Sequence, residues 1–221
     1  LRWGQLSPFE VWHAQQGRRR EPGDGAAVFA SELGWREFCW HQYFHHPDLA
    51  TANLRPGFDH YPWAWPVGQG AGPLGEVTEA ADLLRAWQEG RTGFPMVDAG
   101  QRQLWHTGWM HNRVRMVSAS LLVKNLGIHW QVGEQWFWDT LVDADPASNP
   151  ANWQWVAGSG ADASPFFRIF NPETQAAKFD PDGRYVGQWI PELSTADYPE
   201  PVVDLKASRR EALDAYGSLP R

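Results

Sequence analysis

The chain has 221 residues, 43% of them hydrophobic, a formal net charge of −7 at pH 7, and Cys39 as its one cysteine. That length can bury a sizeable core as one domain, one cysteine excludes an internal disulfide and a thiolate metal cluster, and no metal site is expected. The acidic balance gives nucleic acid no global attraction, no apolar run approaches the ~20 residues of a spanning helix, and no signal peptide is visible.

The segment 1–15 predicts a short helix after Ser7-Pro8, and Arg18–Gly25 reads as a loop from its charge, proline and glycine. Ala26–His46 predicts a helix, with Ser31 and Glu32 near its entry. Residues 54–78, rich in Pro, Gly and Trp, read as a long surface excursion. Glu79–Gln88 predicts a helix that stops at Gly90, and Pro95–Leu104 a short one. Trp109–Leu126 gives the clearest pattern: Met110, Val114, Val117 and Leu121 recur at spacings of 4, 3 and 4, and Gly127 marks the stop. Trp130–Leu141 predicts another helix. In the stretch DADPASNPANWQW (143–155), Asp145 before Pro146 and Asn149 before Pro150 each read as an N-cap followed by proline. A helix entered at Asn149 places Trp153 one turn in. Trp155, two residues on, is then rotated roughly 200° away and faces other surroundings. A loop with Gly158, Gly160 and Pro165 follows, and 205–216 predicts an amphipathic helix. The fold class is all-α.

Fifteen tryptophans are the outlier, because a buried indole N–H wants a partner. Three blocks carry a resemblance: ELGWREF (32–38), the run from GRTGFPMVDAG to WHTGWMHNRVRM (90–116), and DADPASNPANWQWVAGSGADASPFFRIFNP (143–172). Together they resemble the C-terminal FAD-binding catalytic domain of the photolyase/cryptochrome family, closest to the class I cyclobutane pyrimidine dimer photolyases. Residues 1–221 are expected to be that domain as a fragment, without the N-terminal α/β antenna domain and without the Thr-Ser-x-Leu-Ser segment that cradles the FAD phosphates. What the resemblance implies is a helical lobe holding FAD beneath a cavity for a flipped dimer. Light-driven electron transfer from reduced FAD then splits the dimer.

The same resemblance assigns residues. Asn149 matches the neighbour of flavin N5. Asp143, Ala144 and Asp145 match the edge of the isoalloxazine and its ribityl chain, and Arg115 matches the arginine paired with the first acid. Trp153, Trp130 and Trp63 match the proximal, middle and distal members of an electron-transfer chain, with Trp65 a rival for the distal place. Glu32, Trp35, Asn112, Met116 and Trp155 match the lesion cavity, Trp35 and Trp155 as its facing walls. Arg36, Arg113 and Gln175 match DNA contacts, with Lys178 and the Arg18–Arg20 loop adding a salt-dependent backbone term. On spacing alone, capping is the simpler reading of Asp145 and Asn149, packing that of the tryptophans, and a structural role that of His111.

Within the family, paired histidines of the (6-4) photolyases are replaced by Asn112 and Met116, which points to cyclobutane dimers. The spelling DPASN resembles cryptochromes of the DASH type, so a DASH-like blue-light photoreceptor or single-strand-preferring photolyase is the alternative. Gln101 departs from the family's usual Met, and His129 and Gln131 from the Asp and Arg beside the middle tryptophan. The expected partner is UV-damaged DNA, the expected cofactor FAD, and a folate- or deazaflavin-type antenna pigment is expected only with the N-terminal domain. A cytoplasmic monomer with no membrane association is expected.

Overall fold

A computed structural model describes residues 1–16, 25–64, 79–162 and 167–220. Within them the structure is helical, and no strand is present among the described residues. The helices are α1 (Pro8–Gln16), α2 (Gly25–His45), α3 (Glu79–Gln88), α4 (Pro95–Thr107), α5 (Asn112–Ser120), α6 (Trp130–Thr140), α7 (Ser148–Ala157), α8 (Pro172–Phe179), α9 (Arg184–Trp189) and α10 (Leu205–Gly217). A 3₁₀ turn spans Pro56–His60, and a π-helical turn, Leu121–Asn125, continues α5. The Arg18–Arg20 loop, Trp65 and Pro165 lie outside the described residues.

Two expected boundaries change. The helix expected from Trp109 begins at Asn112, because Gly108 at φ 72° ends α4 and His111 caps α5, its Nδ1 accepting from the Arg113 N–H. Its last turn widens, with the Leu126 N–H reaching the Leu121 carbonyl, before Gly127 turns left-handed at φ 67°. At α7 the cap is not Asn149. Oδ1 of Asp145 accepts from the N–H groups of Ala147 (2.9 Å) and Ser148 (2.6 Å), and the helix starts at Ser148. Pro150 is tolerated because it falls in the first turn, where its missing N–H would have no intrahelical acceptor. Between the loop expected at Gly158, Gly160 and Pro165 and the helix expected from 205 no element was expected, and that region holds α8 and α9. Asn171 caps α8 with its side chain, and Asp180 accepts from the N–H groups of Tyr185 and Val186 at the start of α9.

The main core joins α3, α4, α5, α6 and α7 around Trp87, Phe94, Leu122, Trp130, Phe137 and Trp153. Helix α7 is its hub, packed against α2, α5, α6 and the π turn. Gly133 on α6 permits the closest approach there, since a Cβ would overlap the Trp153 ring. The far end of α7 is clamped by the segment 49–55. The fully buried Gln154 donates to the carbonyls of Leu49 (2.7 Å) and Ala52 (2.9 Å) and accepts from the Leu54 N–H. Arg55 donates to the Gly158 carbonyl and the buried Lys124 to that of Ala157, which satisfies the last carbonyls of the helix, while burial and then the nearby Arg55 hold the Lys124 amine well below its ordinary pKa.

Candidate flavin and lesion site

Freed from capping, the Asn149 amide turns to α6. Its Nδ2 donates to the Glu134 carbonyl (3.0 Å) and to Glu134 Oε1 (2.8 Å). Both N–H groups are then engaged inside the protein, and Oδ1 has no partner among the described residues. Burial pushes the Glu134 carboxyl up to about 7, against the Asn149 hydrogen bond and with a contribution from Asp139. Glu134 was not singled out from sequence. The available signal was its position one turn after Trp130, which places it on the side of α6 that meets α7.

The acids before α7 separate by task. Asp143 pairs with Arg115 at 3.0 Å, and Arg115 is held from behind by its Nε bond to the Met110 carbonyl. Asp145 is buried and holds the turn into α7. Its charge, after burial, helps push the Cys39 thiol of α2 up to about 11, so that thiol stays neutral. Ala144 packs on the main core, and its carbonyl accepts from Arg2 Nε. That guanidinium also lies over the rings of Trp3 and Trp138.

The two indoles of α7 face different surroundings, as their spacing implies. Trp153 is 2% exposed, edge-on to Phe137 at 4.9 Å and to Trp87 at 6.2 Å. Trp155 is half-buried beside Phe170, with the Arg168 guanidinium 5.5 Å over its ring. Trp130 is fully buried and donates through Nε1 to Asn53 Oδ1 at 2.8 Å. Trp63 is half-buried, and the His129 ring contacts it at 4.7 Å and Trp130 at 5.5 Å.

On α2, Glu32 and Trp35 are exposed, and Glu32 has no partner among the described residues. Among the described residues Trp35 makes one ring contact, edge-on to Phe38, and none joins it to Trp155. Arg36 is paired with Glu37 and lies over Trp40. At the start of α5, Asn112 is exposed and Met116 half-buried. Arg113 and Lys178 converge on Phe179, at 4.7 and 5.2 Å, and the buried Gln175 Oε1 on α8 is unpaired. Glu32 and Trp35 therefore stand apart from the tightly bonded set on α6 and α7, while Arg113, Gln175 and Lys178 are drawn together. A cleft of about 570 Å³ lined by Arg85, Trp105, Trp136 and Trp189 holds none of the expected site residues.

A flavin fits these side chains. The buried indole N–H groups of Trp153 and Trp40, on α7 and α2, are without partners, as donors beside a polar ligand's place would be. Helix α7 and its entry also carry an engaged amide with a free oxygen, that of Asn149, and the acid of an arginine–carboxylate pair, Asp143.

The comparisons agree. Residues 29–197 match the family described as the FAD binding domain of DNA photolyase. A deoxyribodipyrimidine photo-lyase of Agrobacterium fabrum is 46% identical, over 99% of this chain and 48% of that protein. The crystal structure of a bacterial class III photolyase from Agrobacterium tumefaciens superposes with a TM-score of 0.85 at 46% identity, over 98% of this chain and 48% of the other. A Synechocystis cryptochrome structure gives 0.79 at 31% identity, over 95% and 46%. The chain spans about half the length of the relatives it matches.

Proposed function

The chain belongs to the family of FAD-binding domains of DNA photolyase, and from that membership we propose that its protein repairs UV-damaged DNA by splitting cyclobutane pyrimidine dimers in light. The observation that carries this reading is the convergence on α7 of the Asn149–Glu134 pair, Asp145, Trp153 and the nearby Asp143–Arg115 pair. The chemistry supplied by bound, reduced FAD is light-driven transfer of one electron to the dimer, returned after the ring opens. This chain's residues do the rest. Asp143, Asp145 and Arg115 orient the flavin. Asn149, its N–H groups held by Glu134, offers Oδ1 as an acceptor for a proton at flavin N5. Trp153, Trp130 and Trp63 carry electrons inward when the flavin is oxidised.

Glu32 hydrogen-bonds the dimer, Trp35 and Trp155 stack on it, Asn112 and Met116 line its cavity, and Arg36, Arg113 and Gln175 hold the DNA. A photoreceptor would give the exposed Glu32 and Trp35 no task, which favours repair. Two variants of the complete protein test the reading. Trp155→Ala weakens binding to dimer-containing DNA roughly tenfold to a hundredfold, since base stacking on an aromatic is worth ~1–3 kcal/mol. It spares photoreduction of the flavin, which Trp153→Phe blocks. The opposite assignment of losses would overturn the site.

A further inference from the structure

The middle of the tryptophan series has surroundings that no expectation assigned. Trp130 Nε1 donates to Asn53 Oδ1 at 2.8 Å, and Asn53 Nδ2 donates to Asp59 Oδ1 at 2.7 Å. Indole, amide and carboxylate thus form a line from a fully buried ring to an exposed acid. The amide dipole in that line is oriented, its oxygen towards the indole and its nitrogen towards the acid. Beside it, the His129 ring fills the space between Trp130 and Trp63. His129 is placed by its own backbone: it caps α6, Nδ1 accepting from the Gln131 N–H at 3.2 Å, so a neutral ring carries its proton on Nε2. Trp63 is held against it by the Ala64 N–H bond to the Gly127 carbonyl at 2.8 Å.

We infer that the Asn53–Asp59 pair sets the potential of Trp130, stabilising it as a cation when it has lost an electron, and that His129 is a positioning residue that keeps Trp63 in line with it. The inference rests on the electron-supply reading above and deepens it. A negative charge one amide away favours the oxidised, positive indole over the neutral one, and the amide oxygen directed at the buried ring adds to that pull. The amide oxygen is a poor base, so the oxidised indole keeps its proton and remains a cation. Burial lowers His129 to about 4 against the pull of Asp59, so an uncharged ring lies beside the path and does not repel the hole. The transfer balances as follows. One electron leaves Trp63 and fills the hole on Trp130, which lost its own electron inward through Trp153 to light-excited, oxidised flavin. An added thiol then re-reduces Trp63, losing one electron and one proton.

The test uses the full-length, FAD-loaded protein and flash photolysis, reading the yield of long-lived tryptophan radical. Asp59→Asn, isosteric and at an exposed site, lowers that yield threefold or more, and Asp59→Glu restores it to within twofold of the parent. His129→Phe, which keeps an uncharged ring packed between Trp130 and Trp63 though it loses the bond to Gln131, holds it within twofold, and His129→Ala lowers it. A flavin-free readout accompanies this. In protein labelled with ¹⁵N-tryptophan, Asp59→Asn shifts the Trp130 indole resonance and leaves that of Trp153 in place. An unchanged yield and unchanged resonance in Asp59→Asn overturn the inference. Trp130→Phe separates the two failures. If it blocks radical formation while Asp59→Asn does nothing, only this inference falls; if it too has no effect, the electron-supply reading falls with it.

Discussion

The α6–α7 contact and the outer face of α2 carry functional candidates of opposite character. At the first, Asn149, Glu134, Trp130 and Trp153 are buried and, save the Trp153 indole nitrogen, hydrogen-bonded to named partners. At the second, Glu32 and Trp35 stand in solvent, and Trp35 is 50% exposed. The first region positions groups that must not move relative to one another. The second presents the groups proposed to meet the DNA. Folding energy is therefore concentrated in one region and binding energy in the other, and mutations should separate them.

The sharpest break is Gly133→Leu. Any Cβ at 133 overlaps the Trp153 ring and meets Leu122 Cδ2, and the core has no slack there. Overpacking costs about 1–3 kcal/mol for added methylenes, and a whole side chain against a fixed indole should exceed that. The expected result is a loss of cooperative thermal unfolding or a melting point lowered by more than 10 °C on the usual scale of ~2–4 °C per kcal/mol. A variant that melts like the parent would show that α6 and α7 are not locked.

Gln154→Ala comes next. It removes a side chain that serves two carbonyls and one N–H, and each buried group left unpaired costs ~1–3 kcal/mol. A loss of about 2–5 kcal/mol is expected by urea unfolding.

Glu134→Gln is smaller and depends on pH. The Glu134 carboxyl is raised from 4.5 to about 7 in the folded protein, so between those values the folded state holds a proton that the unfolded chain has released. Stability therefore falls as pH rises through that window, by at most ~1.4 kcal/mol per unit, and levels off above it. Glutamine still accepts from Asn149 and removes that component. Comparing parent and variant unfolding at about pH 5 and about pH 8 checks the sign: the parent should lose more stability than the variant on going to the higher pH.

The smallest effect on folding belongs to the exposed face. Trp35→Ala and Glu32→Gln should change stability by no more than ~0.5 kcal/mol, while both weaken binding of dimer-containing DNA. A large loss of stability from either would erase the contrast between the two regions.

Sequence made much of this readable where local chemistry decides. Helix α3 spans the expected residues, and Gly90, in the left-handed region at φ 64°, follows it as expected. The opposed faces of Trp153 and Trp155 follow from helical geometry alone. What was not readable depended on distant partners. Asp145 and Asn149 each precede a proline and look alike in sequence. Only the placement of α6 gives Asn149 another partner, and Asp145 holds the turn that leads into α7. Asp59 lies within the excursion read as surface and Asn53 just before it, and nothing local announces that Trp130, 77 positions from Asn53, will donate to that amide. Helices α8 and α9 escaped because they are short and weakly patterned, and their starts are fixed by Asn171 and Asp180.

The Gln154 clamp also orders events in time. Its partners lie 100 to 105 positions earlier in the chain, so on a growing polypeptide the segment 49–55 is made long before the glutamine that fastens it. Until then its carbonyls remain bonded to water, and closing so long a loop is entropically late. Asn53 rides in that same segment. The amide that reaches Trp130 is thus fixed only when α7 docks, and the proposed electron path is completed in the same step as the fold.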